Sequence, residues 1–360
     1  MNQAFTNVIT KMKEENINQF IICDPGSIYY LTHQMFHTGH RMLALLISQD
    51  KDPILFIHEM FPTQAMDGVK VHYFKDTDDY LTDLYNELDS SKQVGVDKFF
   101  EARYVIGLSE RGLALPLKVT SYIIDDIRAV KSNEEITLME NASAINDKVM
   151  AYMQDYIHNY EGTLTENHLK DVLQEQYALY TDEGYSFPPI FGFGVNAANP
   201  HHRGDDTILK DGDCIVMDMG CVKDNYCSDM TRTVFYKSVS DFNREIYEIV
   251  KEAHLRAFKA VKPGMKASEI DAIARDYISE KGYGQYFTHR LGHFIGTETH
   301  EAGDISAANN DVLVEGNIFS IEPGIYIKDK NIGVRIENLV RVTKDGAVSL
   351  NHLPLDLKVL

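Results

Sequence analysis

The sequence predicts two folded units: a smaller mixed α/β domain over residues 1–126 and a larger α+β domain over residues 127–360. Three observations carry this. The first third alternates helix-like and strand-like segments. After the polar run Asp125-Asp126-Ile127-Arg128, a capping box made by Ser132 and Glu135 opens a long amphipathic helix. Beyond it, separate helices alternate with strand-rich stretches that double back as hairpins, the order of an antiparallel sheet covered by helices. With 360 residues, both units can bury a core unaided.

In the first unit, residues 3–16 have the apolar spacing of an amphipathic helix. Phe20 to Cys23 form a short strand ended by Asp24-Pro25-Gly26. Strands over 42–48 and 54–58 flank the turn formers Gln49 to Pro53 and read as a hairpin. Val94–Val96 and Tyr122–Ile124 read as two more strands. No Gly-x-Gly-x-x-Gly follows the first strand, so the unit carries no dinucleotide fingerprint.

The long helix that opens the second unit has the apolar stripe Ile136, Met139, Ala142, Ile145, Val149, Met153, Ile157, at steps of three and four. A second helix follows Thr165, a third spans 243–260 and stops at Lys262-Pro263-Gly264, and a fourth opens at Ser268. Strands are expected over 213–220, 226–236, 317–327 and 333–343.

Composition limits the partners. Lysine and arginine number 35 against 54 aspartates and glutamates, a net charge of −19. That balance excludes a phosphate-backbone surface and suits cations or small substrates, so no nucleic acid is expected. No apolar run approaches the roughly 20 residues of a membrane span, and the polar stretch from Met1 to Gln19 does not read as a leader. A cytoplasmic protein with no membrane partner is the expectation. Cys23, Cys214, Cys221 and Cys227 form no Cys-x-x-Cys pair and read as reduced packing residues. Cys214 and Cys221 flank the strand that carries Asp218, which makes oxidation there a route to inactivation.

The chemistry gathers in two hairpins. Around the polar turn Lys223-Asp224-Asn225, two apolar runs place Asp218 opposite Asp229 if the turn is centred between Lys223 and Asp224. Their Cβ atoms would then lie about 4.5–5.5 Å apart. Around Lys328 to Asn331, a second pair of runs places Glu322 opposite Glu337. Two opposed carboxylate pairs set among Ile, Val, Met and Phe need compensation by cations or shared protons. Residues 288–301 add His289, His293 and His300 among glycines, and Asn199 to Arg203 puts His201 in a Gly/Asn/Pro-rich loop. His289 and His293 imitate a zinc helix, but Arg290 stands where its essential glutamate would be. Four carboxylates and one imidazole make an oxygen-rich site for two divalent ions, Mn²⁺ first and Co²⁺ or Zn²⁺ next.

Taken together, Asp218-Met-Gly220, Asp229-Met-Thr-Arg-Thr233, His289 to Gly296, Glu322-Pro-Gly324 and Arg335-Ile-Glu337 resemble the motifs of the pita-bread metallopeptidases: prolidase, aminopeptidase P, methionine aminopeptidase and creatinase. The match covers about 128–345, and residues 1–126 resemble the creatinase-like N-terminal domain of prolidases and aminopeptidases P. The resemblance implies a C-terminal pita-bread fold. It implies that Asp218 holds one metal ion, that His293 and Glu322 hold the other, and that Asp229 and Glu337 bridge both. Glu322 would also act as general base, and His201 and His300 would bind substrate and steady the tetrahedral intermediate. His289 and Arg335 would border the substrate, Arg335 chiefly by orienting a neighbouring carboxylate, with Thr231 and Thr233 as supporting donors.

The implied activity is Xaa-Pro dipeptidase in a homodimer, acting on proline-containing di- or oligopeptides. Aminopeptidase P activity on longer peptides is the second reading, and a non-catalytic peptide-binding pseudo-peptidase is the reading of another class. Two departures bear on specificity. Where prolidases carry His-Glu-Ala-Pro-Arg, this chain has His300-Glu-Ala-Gly303-Asp304, and an aspartate cannot hold a substrate carboxylate. In the first unit the family's Asp-Pro-His-Glu-Arg stretch corresponds to His37-Thr-Gly-His40-Arg41, a possible cationic substitute.

Overall fold

The computed structural model describes residues 3–113 and 116–360. It divides into two compact units, Met1–Arg128 and Ala129–Leu360. The first runs α1 (Gln3–Glu14), β1 (Gln19–Ile22), α2 (Pro25–Thr32), β2 (Leu43–Ser48), β3 (Ile54–His58), β4 (Lys70–Phe74), α3 (Tyr80–Glu87), β5 (Val94–Val96), α4 (Ala102–Glu110), β6 (Lys118–Val119) and α5 (Tyr122–Ala129). Its mixed sheet has the order β4-β3-β2-β1-β5-β6. Alternation along β1 sends Phe20 and Ile22 to a core with α1, α2 and α5, and Ile21 to a core with α3 and α4.

Two local expectations are corrected here. Asp24-Pro25-Gly26 does more than stop β1: Asp24 caps α2, accepting from the Gly26 and Ser27 amides, with Pro25 in the first turn. Tyr122–Ile124 is the first turn of α5 and not a strand. Period two fits the apolar run in the sequence, but Ile123 and Ile124 are buried with Ile127 and Arg128 packed a turn later, a helical face.

The second unit begins with α6 (Asn133–Asn159) and α7 (Glu166–Tyr177), followed by β7 (Ile190–Phe193), β8 (Cys214–Met219), β9 (Val222–Lys223), β10 (Tyr226–Cys227) and β11 (Met230–Phe235). Then come α8 (Asp241–Ala260), α9 (Ala267–Glu280), β12 (Gly292–His293), β13 (Asp304–Ile305), β14 (Ile318–Ile321), β15 (Gly324–Ile327), β16 (Ile332–Arg335), β17 (Asn338–Thr343) and β18 (Gly346–Ser349). Both halves of the Ser132–Glu135 capping box form, and Thr165 caps α7. Helices α6 and α7 cover β7, β8 and β11 through one core; α8 and α9 cover β14 to β17 through another. Among the described residues no helix is long and apolar enough to cross a membrane.

Buried beneath the second hairpin is His254 of α8, whose Nδ1 donates to the Ile321 carbonyl at 3.0 Å. Burial, with Arg232 assisting, pushes its pKa down from 6.5 to about 3. Between those values an unfolded chain takes up a proton that the folded chain refuses, so this group withdraws stability as pH falls from 6.5. His254→Gln, which keeps an N–H donor, should therefore flatten the acid side of the stability curve by about 1.4 kcal/mol per pH unit. Urea unfolding at pH 7 and pH 5 reads the difference; an unchanged pH slope would remove His254 from the account.

Candidate metal centre

Register decides which carboxylates meet. Asp224 and Asn225 both adopt positive φ, at 52° and 62°, and so form the two-residue turn that matches strand twist. The turn is centred between them, one position beyond the expectation, and this moves the pairing by two residues. Asp218 faces Thr231, and Asp229 lies diagonally from it instead of directly opposite. An even shift preserves the face, so both aspartates still project to the same side. The expected strand 226–236 is interrupted at Ser228-Asp229, between β10 and β11.

The second hairpin keeps the expected register. Gly324 pairs with Arg335 and Ile321 with Asn338, so the pairing runs through both halves and sets Glu322 across from Glu337. The strands break there, Glu322-Pro323 on one side and Ile336-Glu337 on the other. His293 arrives on β12, whose approach to β14 depends on Gly292: a Cβ there would lie 1.8 Å from the Ser320 carbonyl oxygen.

These residues line one cavity of about 250 Å³, together with Pro200, His201, His289, His300, Arg290 and Arg335. Donor atoms of Asp229, His293 and Glu337 lie within 4.8 Å of one another. His293 Nε2 is 3.6 Å from Asp229 Oδ2 and 3.5 Å from Glu322 Oε1. Its Nδ1 donates to its neighbour's carbonyl, Phe294 O, at 3.2 Å, which leaves the Nε2 lone pair for the cluster. Ser320 Oγ donates to Glu322 Oε1 at 3.1 Å, and Thr231 Oγ1 donates to Glu337 Oε2 at 2.6 Å. Thr233 lies one step back, bonding to the Arg335 backbone at 2.9 Å.

Arg335 is buried and its donors are all directed inward, to Asp218, to Tyr326 Oη at 2.9 Å and to Thr231 Oγ1 at 3.0 Å. Tyr326, absent from the sequence reading, in turn donates to His289 Nε2 at 3.0 Å, because His289 Nδ1 is spent on the Arg290 carbonyl at 2.7 Å. Burial lowers the His289 pKa. The alternation rule could have found Tyr326, which shares the parity of Glu322 and Gly324.

Charge in this cluster is unbalanced. Burial raises the carboxyl pKa values of Asp218, Asp229 and Glu337, with repulsion among the carboxylates adding to it. Glu322 alone goes down: burial pushes it up, but His293, His289 and Arg335 outweigh burial. Among the described residues, the carboxylate oxygens buried without any hydrogen-bond partner are Asp218 Oδ1 and Asp229 Oδ1. Vacant lone pairs on an over-negative floor fit divalent cations, and the oxygen-rich donor set fits hard ones. The thiols play no part. Cys214 and Cys221 are fully buried and their pKa values are pushed by burial to about 12 and about 11, so the expected oxidation route lacks both access and thiolate.

Residues 137–344 match metallopeptidase family M24, and residues 5–130 match the creatinase/prolidase N-terminal domain. The chain belongs to metallopeptidase family M24. A peptidase of Staphylococcus aureus described as uncharacterized is 33% identical, over 96% of this chain and 98% of its own. The prolidase of Pyrococcus horikoshii superposes with a TM-score of 0.90 at 31% identity, covering 99% of this chain and 100% of that one. The Xaa-Pro dipeptidase of Bacillus anthracis gives 0.89 at 26% identity, covering 99% of each chain. The X-Pro aminopeptidase of Thermotoga maritima gives 0.82 at 28% identity, covering 97% of this chain and 100% of that one. This M24 chain therefore has the pita-bread catalytic fold behind a creatinase-type N-terminal domain, and it is a peptidase; the non-catalytic scaffold reading falls away.

Proposed function

We propose that this peptidase hydrolyses the bond before proline, with Xaa-Pro dipeptides as its preferred substrates. The supporting observation is a small cavity with a surface cation, Arg290, in its lining. At about 250 Å³ it lies below the roughly 300–1,000 Å³ of drug-sized pockets and suits a two-residue ligand. Arg290 lines it, with Asp304, its nearest carboxylate, 3.8 Å away. Its guanidinium takes the place of the missing prolidase arginine in gripping a substrate carboxylate. The alternative cation, Arg41, is already held by Asp76 in two bonds of 3.0 and 2.9 Å. The similarity to the Pyrococcus and Bacillus dipeptidases supports this reading, and that to the Thermotoga aminopeptidase keeps longer peptides as the second.

Two divalent ions, Mn²⁺ ahead of Co²⁺ or Zn²⁺, would be held by Asp218, Asp229, His293, Glu322 and Glu337, and would supply Lewis acidity and an acidified water. The chain's own groups do the rest. Glu322 is ionised and takes the proton of the attacking water at a carboxylate oxygen, then delivers it to the proline nitrogen. His300, whose pKa burial lowers to about 4 with help from His293 and Arg290, is neutral and donates one N–H to the carbonyl oxygen as it becomes an oxyanion. His201 supplies the second such contact. Phe187, Ile190 and His289 also line the cavity and offer apolar and ring surface against which a proline ring can pack. A homodimer working in the cytoplasm belongs to the same reading, and light scattering on the purified chain tests the dimer.

The deciding comparison is hydrolysis of Ala-Pro against Ala-Pro-Pro, each with Mn²⁺ and with chelator. Ala-Pro should be the better substrate, and chelator should stop both reactions. Arg290→Leu should raise KM for Ala-Pro by roughly 10–100-fold, the worth of one charge-assisted bond, and leave Ala-Pro-Pro within a few-fold. Preference for Ala-Pro-Pro would instead make the chain an aminopeptidase.

A further inference from the structure

His201 reaches the cavity from the irregular segment 194–207, which contains no strand or helix. Its own backbone is held only locally, by Asn199 Oδ1 at 3.2 Å. A buried carboxylate outside the metal-centre cluster ties this segment down. Glu166, the first residue of α7, is fully buried. Its Oε1 accepts from Phe193 N at 2.8 Å and Asn196 Nδ2 at 3.0 Å. Its Oε2 accepts from His202 Nε2 at 2.5 Å and Asp205 N at 2.9 Å. All four donors belong to residues 193–205, and one is the residue next to His201. One turn along α7, Lys170 donates to the carbonyls of Arg203 and Gly204, the latter at 3.2 Å.

Glu166, His202 and Asp205 could be taken for a second metal site, since their donor atoms cluster within 4.8 Å. The hydrogen bonds argue otherwise. Each oxygen of Glu166 already accepts two donors, whereas Asp218 Oδ1 and Asp229 Oδ1 accept none. A saturated carboxylate braces; a vacant one binds.

We propose that Glu166 is a positioning residue for peptide hydrolysis, holding His202 and thereby setting the place of His201 at the cavity. This rests on the proposed role of His201 as an oxyanion donor. Glutamine at 166 would turn an NH₂ toward two of the four donors and release that part of the loop. His202→Leu would release it without touching α7, and His202→Gln would return an N–H to Glu166.

The test is a double-mutant cycle on Ala-Pro hydrolysis by the Mn²⁺-loaded enzyme, with bound metal per chain and amide hydrogen exchange over 193–207 as companion readings. Glu166→Gln and His202→Leu should each lower kcat about tenfold or more, with bound metal unchanged, on the scale of losing part of one oxyanion donor. Added to His201→Ala, either should cost no more than about twofold further, because the contact they govern is already gone. His202→Gln should recover most of the rate. Full multiplication of the losses, or single variants at wild-type kcat, would overturn the proposal. If Glu166→Gln does not fold, the two His202 variants complete the cycle alone. An inactive wild type would defeat the proposed function instead, and the brace would then stand or fall on whether His202→Leu speeds amide exchange across 193–207.

Discussion

Glutamine in place of Glu322 is expected to lower kcat for Ala-Pro by roughly 10²–10⁴-fold, the span that a general base contributes. The substitution is isosteric and leaves one oxygen to accept from Ser320 Oγ, so folding should be preserved. What it removes is the site's one carboxylate whose pKa goes down in the bare cluster, where His293, His289 and Arg335 overcome its burial. The measurement is kcat at saturating Mn²⁺, with bound metal counted alongside. Activity within tenfold of wild type at full metal occupancy would take Glu322 out of the proton path.

The second large effect is on stability. Arg335→Leu strips the buried Asp218 of its ion-pair partner and Tyr326 of a donor. Both charged side chains are enclosed, at 4% and 12% exposure, so solvent cannot replace what is lost. Leaving one partner of such a pair behind costs about 3–5 kcal/mol. Urea unfolding of the metal-free protein should register a loss of that size. Replacing Asp218 by leucine as well should recover much of it, since a buried pair exchanged for apolar groups is often nearly neutral. A loss below about 1 kcal/mol would mean that the pair is wetter than its geometry indicates.

How legible all this was in the sequence depended on whether a feature is local. The Ser132–Glu135 box, the Thr165 cap and the Glu322/Glu337 register each follow from residues within a few positions of a turn or helix end, and each could be read directly. The Asp218/Asp229 pairing expected from the sequence differs from the observed register by two residues. Lys223-Asp224-Asn225 offers two possible centres, and what chooses between them is the positive φ shared by Asp224 and Asn225. Because strand side chains alternate, the error changed the partner and spared the face.

Tyr122–Ile124 misled for a different reason. Three large residues in a row fit a strand as well as a helix turn, and Arg128 decides the matter only through its bond to Asp24, 104 positions away. Strand β4, Lys-Val-His-Tyr-Phe, alternates polar and apolar residues, but it is short and lies at a sheet edge where only Phe74 is buried, so it stands apart from the continuous apolar runs of β2 and β3. Tyr326, Glu166 and His254 share a further property: each matters through partners far away in the chain. Spacing along the sequence cannot reveal such a role, except where parity hints at it, as for Tyr326.

The unbroken pairing of the second hairpin makes its tip and its middle unequal places for change. Residues added to the loop at 328–331 leave Ile327 facing Ile332 and every pair behind them intact. One residue added between Gly324 and Ile327 would slide one strand past the other and part Glu322 from Glu337. A lineage descended from this chain can thus vary the length of that tip freely, and a tag or a fused peptide placed there should pass unnoticed by the carboxylates six to nine positions behind it.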